Sequence, residues 1–100
     1  MSNSQITETI SATPGVALVE RVMTVFDNET ERLVTEYPLD SFDLKDFKHQ
    51  FAVTDDDDPL MYNVYPVAPK DGGFVSKYLN GEVVFDFDKN AYFIECYDAG

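Results

Sequence analysis

Sulfur, imidazole and positive charge are all scarce in this chain. There is one cysteine, one histidine and no tryptophan, and Lys and Arg together number 7 in 100 residues. A single thiol, Cys96, cannot close an internal disulfide. The N-terminus also lacks the basic start and apolar stretch of a secretory signal, so a reducing, cytoplasmic setting is expected. Structural zinc needs a cluster of Cys and His, and one of each is too few. No apolar run reaches the roughly 18 residues that a membrane-crossing helix requires. No glycine-rich phosphate cradle is present, because Gly72-Gly73 and Gly81 read as turn residues. Nucleophilic catalysis needs a nucleophile, a base and an orienting group within reach of one another. His49 sits between Lys48 and Gln50 on a predicted helix, and Cys96 alternates with Tyr92 and Ile94 as a small core residue would. Neither has a partner in the pattern, and the chain reads as a non-enzyme without metal or cofactor.

Acid is what the chain has in excess. Asp and Glu number 19, the net charge is -12, and the isoelectric point is about 4.1. A phosphate backbone would be repelled, which argues against direct nucleic-acid binding, and anionic membrane surfaces are disfavoured for the same reason. Hydrophobic residues make up 44% and aromatics 14%, enough for one globular domain. Self-repulsion at this charge weakens the compact state, and the surplus exceeds what solubility needs. It reads as a field aimed at a cationic partner.

Residues 1–15, rich in Ser and Thr and closed by Pro14-Gly15, are expected to form a flexible tail, leaving 16–100 as the domain. Val16 to Phe26 is dense in β-branched residues and predicts a strand, with Val22, Thr24 and Phe26 on one face and Met23 and Val25 on the other. A turn at Asp27-Asn28-Glu29-Thr30 leads into a second strand over Arg32 to Tyr37. Leu44, Phe47 and Phe51 recur at helical spacing and predict a helix over Phe42 to Phe51, capped by Asp40 or Ser41. Leu60 to Val67 reads as a short edge strand, and Phe74 to Leu79 as a helical turn ended by Asn80-Gly81. Glu82 to Asp88 and Ala91 to Tyr97 read as a closing hairpin. Val83, Phe85 and Phe87 join Tyr92, Ile94 and Cys96 in its core, and Asp86 faces outward with Phe93, Glu95 and Tyr97. The fold class expected is α+β, an antiparallel sheet of four or five strands with one or two short helices on one face.

Asp55-Asp56-Asp57-Asp58 is the one run that suggests a metal. Calcium loops alternate their ligands, place a glycine at position six and end on a glutamate at position twelve. Here the aspartates are consecutive, no glycine follows, and the twelfth position is Pro66, so the run does not read as a calcium site. Carboxylate pairs for glycoside chemistry occur by chance in so acidic a chain. The pattern that remains is acid interleaved with aromatics, which suits a protein interface. Aromatics supply buried area there, and charges speed encounter and set partner choice. On this basis the partner-binding candidates are Asp86, Phe93, Glu95, Tyr97 and Asp98. The steering patch Asp55, Asp56, Asp57 and Asp58 with Tyr62 follows, then Glu36, Asp40 and Asp43. The competing reading puts Phe93 and Tyr97 beneath a helix or the N-terminal segment.

The C-terminal run Val84-Phe85-Asp86-Phe87-Asp88-Lys89-Asn90-Ala91-Tyr92-Phe93-Ile94-Glu95-Cys96-Tyr97-Asp98-Ala99-Gly100 resembles the end of the cloacin-type immunity proteins, in which a hairpin leads into an acidic, aromatic tail. Val25-Phe26-Asp27-Asn28-Glu29-Thr30-Glu31 is similar to the turn joining that family's first two strands, and similar hairpins occur in immunity proteins of contact-dependent growth inhibition. The two matches cover about a quarter of the chain. The sequence departs from the family in having no Trp, an added N-terminal stretch and a glycine-ended helical turn at Phe74 to Gly81. The resemblance implies a cytoplasmic antitoxin that binds one to one to a basic nuclease toxin, a ribonuclease by analogy, through an exposed sheet face. The alternative from charge alone is a DNA-mimic or phage-type inhibitor of a DNA-binding protein. A third reading is a small enzyme or metal-binding domain.

Overall fold

A computed structural model describes residues 19–81 and 83–98. The expected tail over 1–15 lies outside the described residues, as do residues 16–18 of the first predicted strand. The elements in chain order are β1 (Val19–Asp27), β2 (Leu33–Pro38), α1 (Leu44–Gln50), β3 (Tyr65–Pro66), a 3-10 turn (Pro69–Asp71), α2 (Gly72–Ser76) and β4 (Asn90–Asp98). They form a four-stranded antiparallel sheet in the order β2-β1-β4-β3, with two short helices, an α+β fold as expected. Among the described residues no helix is long and apolar enough to cross a membrane.

The first hairpin forms where β-branched runs flank Asp27. Its carboxylate Oδ1 accepts the N–H groups of Glu29 and Thr30 at 2.8 and 2.9 Å, and a bulge lies just before it at Val25/Phe26. The predicted apolar stripe of α1 holds. Phe47 is fully buried, with its ring 4.3 Å from Phe42, 4.8 Å from Tyr78 and 4.9 Å from Phe74, and Leu44 and Phe51 pack against the same core. The helix is capped by neither Asp40 nor Ser41. Asp43 is the cap, its Oδ1 accepting the N–H of Asp46 at 3.0 Å. Ser41 takes a left-handed φ of 58° in the turn before it. From the sheet, Met23, Val25, Tyr92 and Ile94 complete the core against Val75, Leu79 and Met61.

Two predicted strands are absent or shortened, each for a local reason. Residues 83–86 have no strand pairing. Both sides of β4 are taken, by β1 along its full length and by β3 at Phe93 and Ile94. Val83, Phe85 and Phe87 instead pack against the core, with Phe85 and Phe87 meeting Tyr92 edge-on at 4.8 and 5.1 Å. The backbone N–H of Asp86 donates to the Tyr92 hydroxyl at 2.8 Å, tying the segment to a side chain where a ladder would tie it to a strand.

The predicted strand over Leu60 to Val67 shrinks to Tyr65–Pro66 because side chains satisfy the backbone before it. Arg21 donates to the carbonyls of Met61 and Leu60 at 2.6 and 2.7 Å, and Asp58 accepts the N–H groups of Tyr62 and Asn63 at 3.0 and 2.9 Å. Those backbone groups are therefore not offered to a neighbouring strand. The helical turn predicted over Phe74 to Leu79 begins two residues earlier, at Gly72. A Cβ there would stand 3.4 Å from the Phe85 ring, so the glycine permits that close approach.

Candidate protein-binding face

Strand alternation divides the sheet into a face packed under the helices and an outer face away from them. The outer face carries Glu20, Val22, Thr24 and Phe26 from β1, Ala91, Phe93, Glu95 and Tyr97 from β4, and Glu36 from β2. Register pairs Glu20 with Tyr97, Val22 with Glu95, and Thr24 with both Phe93 and Glu36. Every charged residue in this set is a glutamate.

The carboxylates of this face are positioned by hydroxyls. Thr24, fully buried, donates from Oγ1 to Glu95 Oε2 at 2.7 Å. The Tyr97 hydroxyl donates to Glu36 Oε2 at 2.8 Å. That hydrogen bond, with partial burial and the negative charges of Glu95, Glu36 and Glu20, pushes the Tyr97 hydroxyl up to about 12. The phenol thus stays protonated and keeps donating.

Beside this cluster lies a groove of about 470 Å³. Phe26, Phe93, Ala91 and Val64 make its apolar part, and Asp27, Glu31 and Glu95 stand among its lining residues. The Phe26 and Phe93 rings meet edge-on at 5.8 Å. Hydrogen bonds from the backbone of Thr30 and Glu29 hold the Asp27 carboxyl below its ordinary value, so it is anionic at neutral pH.

Of the residues singled out from sequence, Phe93, Glu95, Tyr97 and Glu36 come together here. Asp98 is exposed at the end of the same strand. Asp86 does not join them. It lies in the unpaired segment on the core side, and its carbonyl and Oδ1 cap the following turn, accepting from Asn90 and Lys89. The loop acids separate into different roles. Asp58 is buried and accepts the Tyr65 hydroxyl at 2.5 Å besides two backbone N–H groups, so it is a structural fastener and not part of a steering rim. Burial pushes its carboxyl up, but the bonds from Tyr65, Asn63 and Tyr62 and the charge of Arg21 outweigh it and hold the group low. Asp55 pairs with Lys48, while Asp56 and Asp57 are exposed. Tyr62 is 41% exposed and flanks Arg21, whose guanidinium lies 5.6 Å from its ring and 4.5 Å from that of Phe42. Asp40 is exposed ahead of α1, and Asp43 is spent as its cap.

Sequence reasoning missed four of the lining residues. Phe26 was placed on the correct face, but its pairing with Phe93 needs the β1–β4 register. Val64 was assigned to a longer strand, and Asp27 and Glu31 were read as turn residues alone. It also missed Asp71, a carboxylate 2% exposed that accepts from Gln50 Nε2 at 2.7 Å and from the Ala68 N–H at 3.0 Å. Among the described residues no group of three or more His, Cys, Asp or Glu side chains is arranged to hold a metal ion.

No curated protein matches the chain. A family model does match, over residues 20–95, a span that contains β1 from its second residue, both helices and every residue lining the groove. The chain therefore belongs to the family described as "Domain of unknown function (DUF7683)".

Proposed function

We propose that this protein is an immunity protein, a non-catalytic cytoplasmic inhibitor that binds one to one to a basic nuclease toxin domain, a ribonuclease by the resemblance above. The observation that carries the reading is the outer face, where Glu20, Glu36 and Glu95 share the sheet surface with an aromatic groove that Glu95 lines, and no Lys or Arg occupies a strand position among them. A nuclease must hold phosphates, so its working surface is basic. An acidic partner of complementary shape can occupy or border that surface and exclude the substrate by charge and bulk. Complementary fields raise association rates to about 10⁸ M⁻¹s⁻¹ or above, which suits a cell that must capture its own toxin quickly. Hydroxyl bonds to Glu95 and Glu36 fix their orientation before binding, which lowers the entropic cost of pairing. The groove also supports a single partner, because an apolar recess rewards one matching side chain where a DNA mimic would need only spaced charge.

The test is inhibition. The product of the gene immediately upstream is purified, and its cleavage of RNA is followed with and without this protein. Stoichiometric loss of cleavage is expected. Full cleavage at saturating protein would reject the reading.

A further inference from the structure

We propose that the groove on the outer face is a recess for a single arginine side chain of the protein partner, an inference that rests on the function proposed above. Its apolar part, Phe26, Phe93, Ala91 and Val64, offers ring faces and methyl groups, and its carboxylates come from Glu95, Asp27 and Glu31. Among the described residues, Glu95 Oε1 and the Glu31 carboxylate have no hydrogen-bond partner, since Thr24 engages only Glu95 Oε2. A ligand for this recess must be cationic at one end and tolerate contact with apolar surface on its flanks.

A guanidinium meets both demands. It is planar, weakly hydrated, stacks on aromatic rings and forks onto a carboxylate with two parallel N–H donors. A lysine ammonium is a strongly hydrated point charge that would lose its water against Val64 and Phe93 without a stacking gain. Anions are repelled by the three carboxylates. The chain already contains one example of the same chemistry: Arg21 lies between the rings of Phe42 and Tyr62, at 4.5 and 5.6 Å, and its donors are satisfied by two carbonyls. In the groove the rings and acceptors are present and the guanidinium would come from the partner. Basic nuclease surfaces present arginine for phosphate, and a recess that sequesters such a side chain would remove it from substrate.

The experiment titrates the full-length ¹⁵N-labelled protein with N-acetyl-L-argininamide and, at matched ionic strength, with N-acetyl-L-lysinamide. The arginine compound is expected to move the amide resonances of Phe26, Ala91, Phe93 and Glu95, and to bind at least about threefold more tightly than the lysine compound. Phe93→Leu is expected to erase that preference. Glu95→Gln, which keeps an acceptor for Thr24, is expected to weaken both compounds. Equal shifts from the two compounds in the unaltered protein, or shifts confined to Asp55, Asp56 and Asp57, would overturn the proposal without any variant. Nuclease inhibition that persists without an arginine preference would sink the recess and leave the immunity reading standing. Arginine preference with no inhibition would support the recess and reject the toxin as its partner.

Discussion

The two faces of the sheet are built from the same strands and differ in how their side chains are held. Under the helices, Met23, Val25, Tyr92 and Ile94 are between 0% and 3% exposed and are fixed by close packing. On the outer face, Val22 and Thr24 at its centre are as buried as the core, but Phe26, Phe93, Glu95 and Tyr97 around them are half-buried, and the polar members are fixed by single hydrogen bonds to Thr24 and Glu36. Packing gives rigidity that survives the loss of any one polar contact. Hydrogen-bonded carboxylates give direction, and leave charge available to a partner. The same division applies to the acids. Asp58 and Asp71 are buried and saturated with donors, Asp27 and Asp43 organise a turn and a cap, and Glu20, Glu36 and Glu95 stand on the outer face. A charge of -12 is therefore not a uniform coat.

Breaking the packed face should have the largest effect. Phe47→Ala removes a ring at 0% exposure that touches Phe42, Phe74 and Tyr78, and is expected to cost about 3–5 kcal/mol in urea unfolding. That is a large share of the stability of a small domain. An unchanged midpoint would mean that α1 is not the lid of the core. Asp58→Ala comes next. It leaves two N–H groups and the Tyr65 hydroxyl without their acceptor, and a loss of about 2–3 kcal/mol is expected. Asp56→Ala, two loop positions away from Asp58 and exposed, should stay within about 0.5 kcal/mol. The folded Asp58 carboxyl lies below its ordinary value of 3.8, so its contribution is complete above that pH and is lost as pH falls through the folded value. Acid unfolding monitored by far-UV circular dichroism should accordingly begin at higher pH in wild type than its charge relief alone would give, and this component should vanish in Asp58→Ala. Equal effects from the two aspartates would abolish the distinction between fastener and free acid.

Much of this was legible in residue order. Alternation in Val22 to Phe26 and in Tyr92 to Tyr97 assigned both faces correctly, because period two is imposed by the strand itself. The spacing of Leu44, Phe47 and Phe51 located α1. The α+β class followed. What failed depended on competition between distant groups. Val83, Phe85 and Phe87 alternate as a strand does, yet β4 had no vacant side to pair with, which only the sheet order reveals. Leu60 to Val64 lost its strand to Arg21, whose hydrogen bonds reach across 39 and 40 residues and leave no mark in local sequence, and to Asp58, which captures the nearby N–H groups of Tyr62 and Asn63. The groove was half visible: Phe93 and Glu95 by alternation, but Phe26 only through its register opposite Ala91, and Val64 only once β3 had been placed on the far side of β4. Of the tetra-aspartate run, nothing in composition separates Asp58 from Asp56. The difference is that a donor set at Tyr62, Asn63 and Tyr65 curls back onto one of them.

The smallest expected effect sharpens the comparison most, because a matched pair of tyrosines tests both faces at once. Tyr65, on the packed side, and Tyr97, on the outer face, are each pushed up to about 12. Burial and then the bond to Asp58 dominate for Tyr65; the bond to Glu36 and then burial dominate for Tyr97. In each case the folded value lies above the ordinary 10.0, so the stabilisation is complete below pH 10 and is lost as pH rises through about 12. Phenolate absorbance should show Tyr65 and Tyr97 among the late-titrating groups, with Tyr78, raised by burial and its bond to Asp46, alongside them. Tyr97→Phe should remove one of them, lower stability at neutral pH by less than about 1 kcal/mol for a part-exposed bond, and free Glu36 to reorient. Its larger signature should be functional: association with the proposed nuclease partner should slow and become less sensitive to salt, since one outer-face charge loses its fixed direction. Tyr65→Phe should do the opposite, costing more stability and leaving association unchanged, because Asp58 faces inward and no partner reads it. If the two variants proved interchangeable in both measurements, the outer face would be no more than the uncovered back of the sheet.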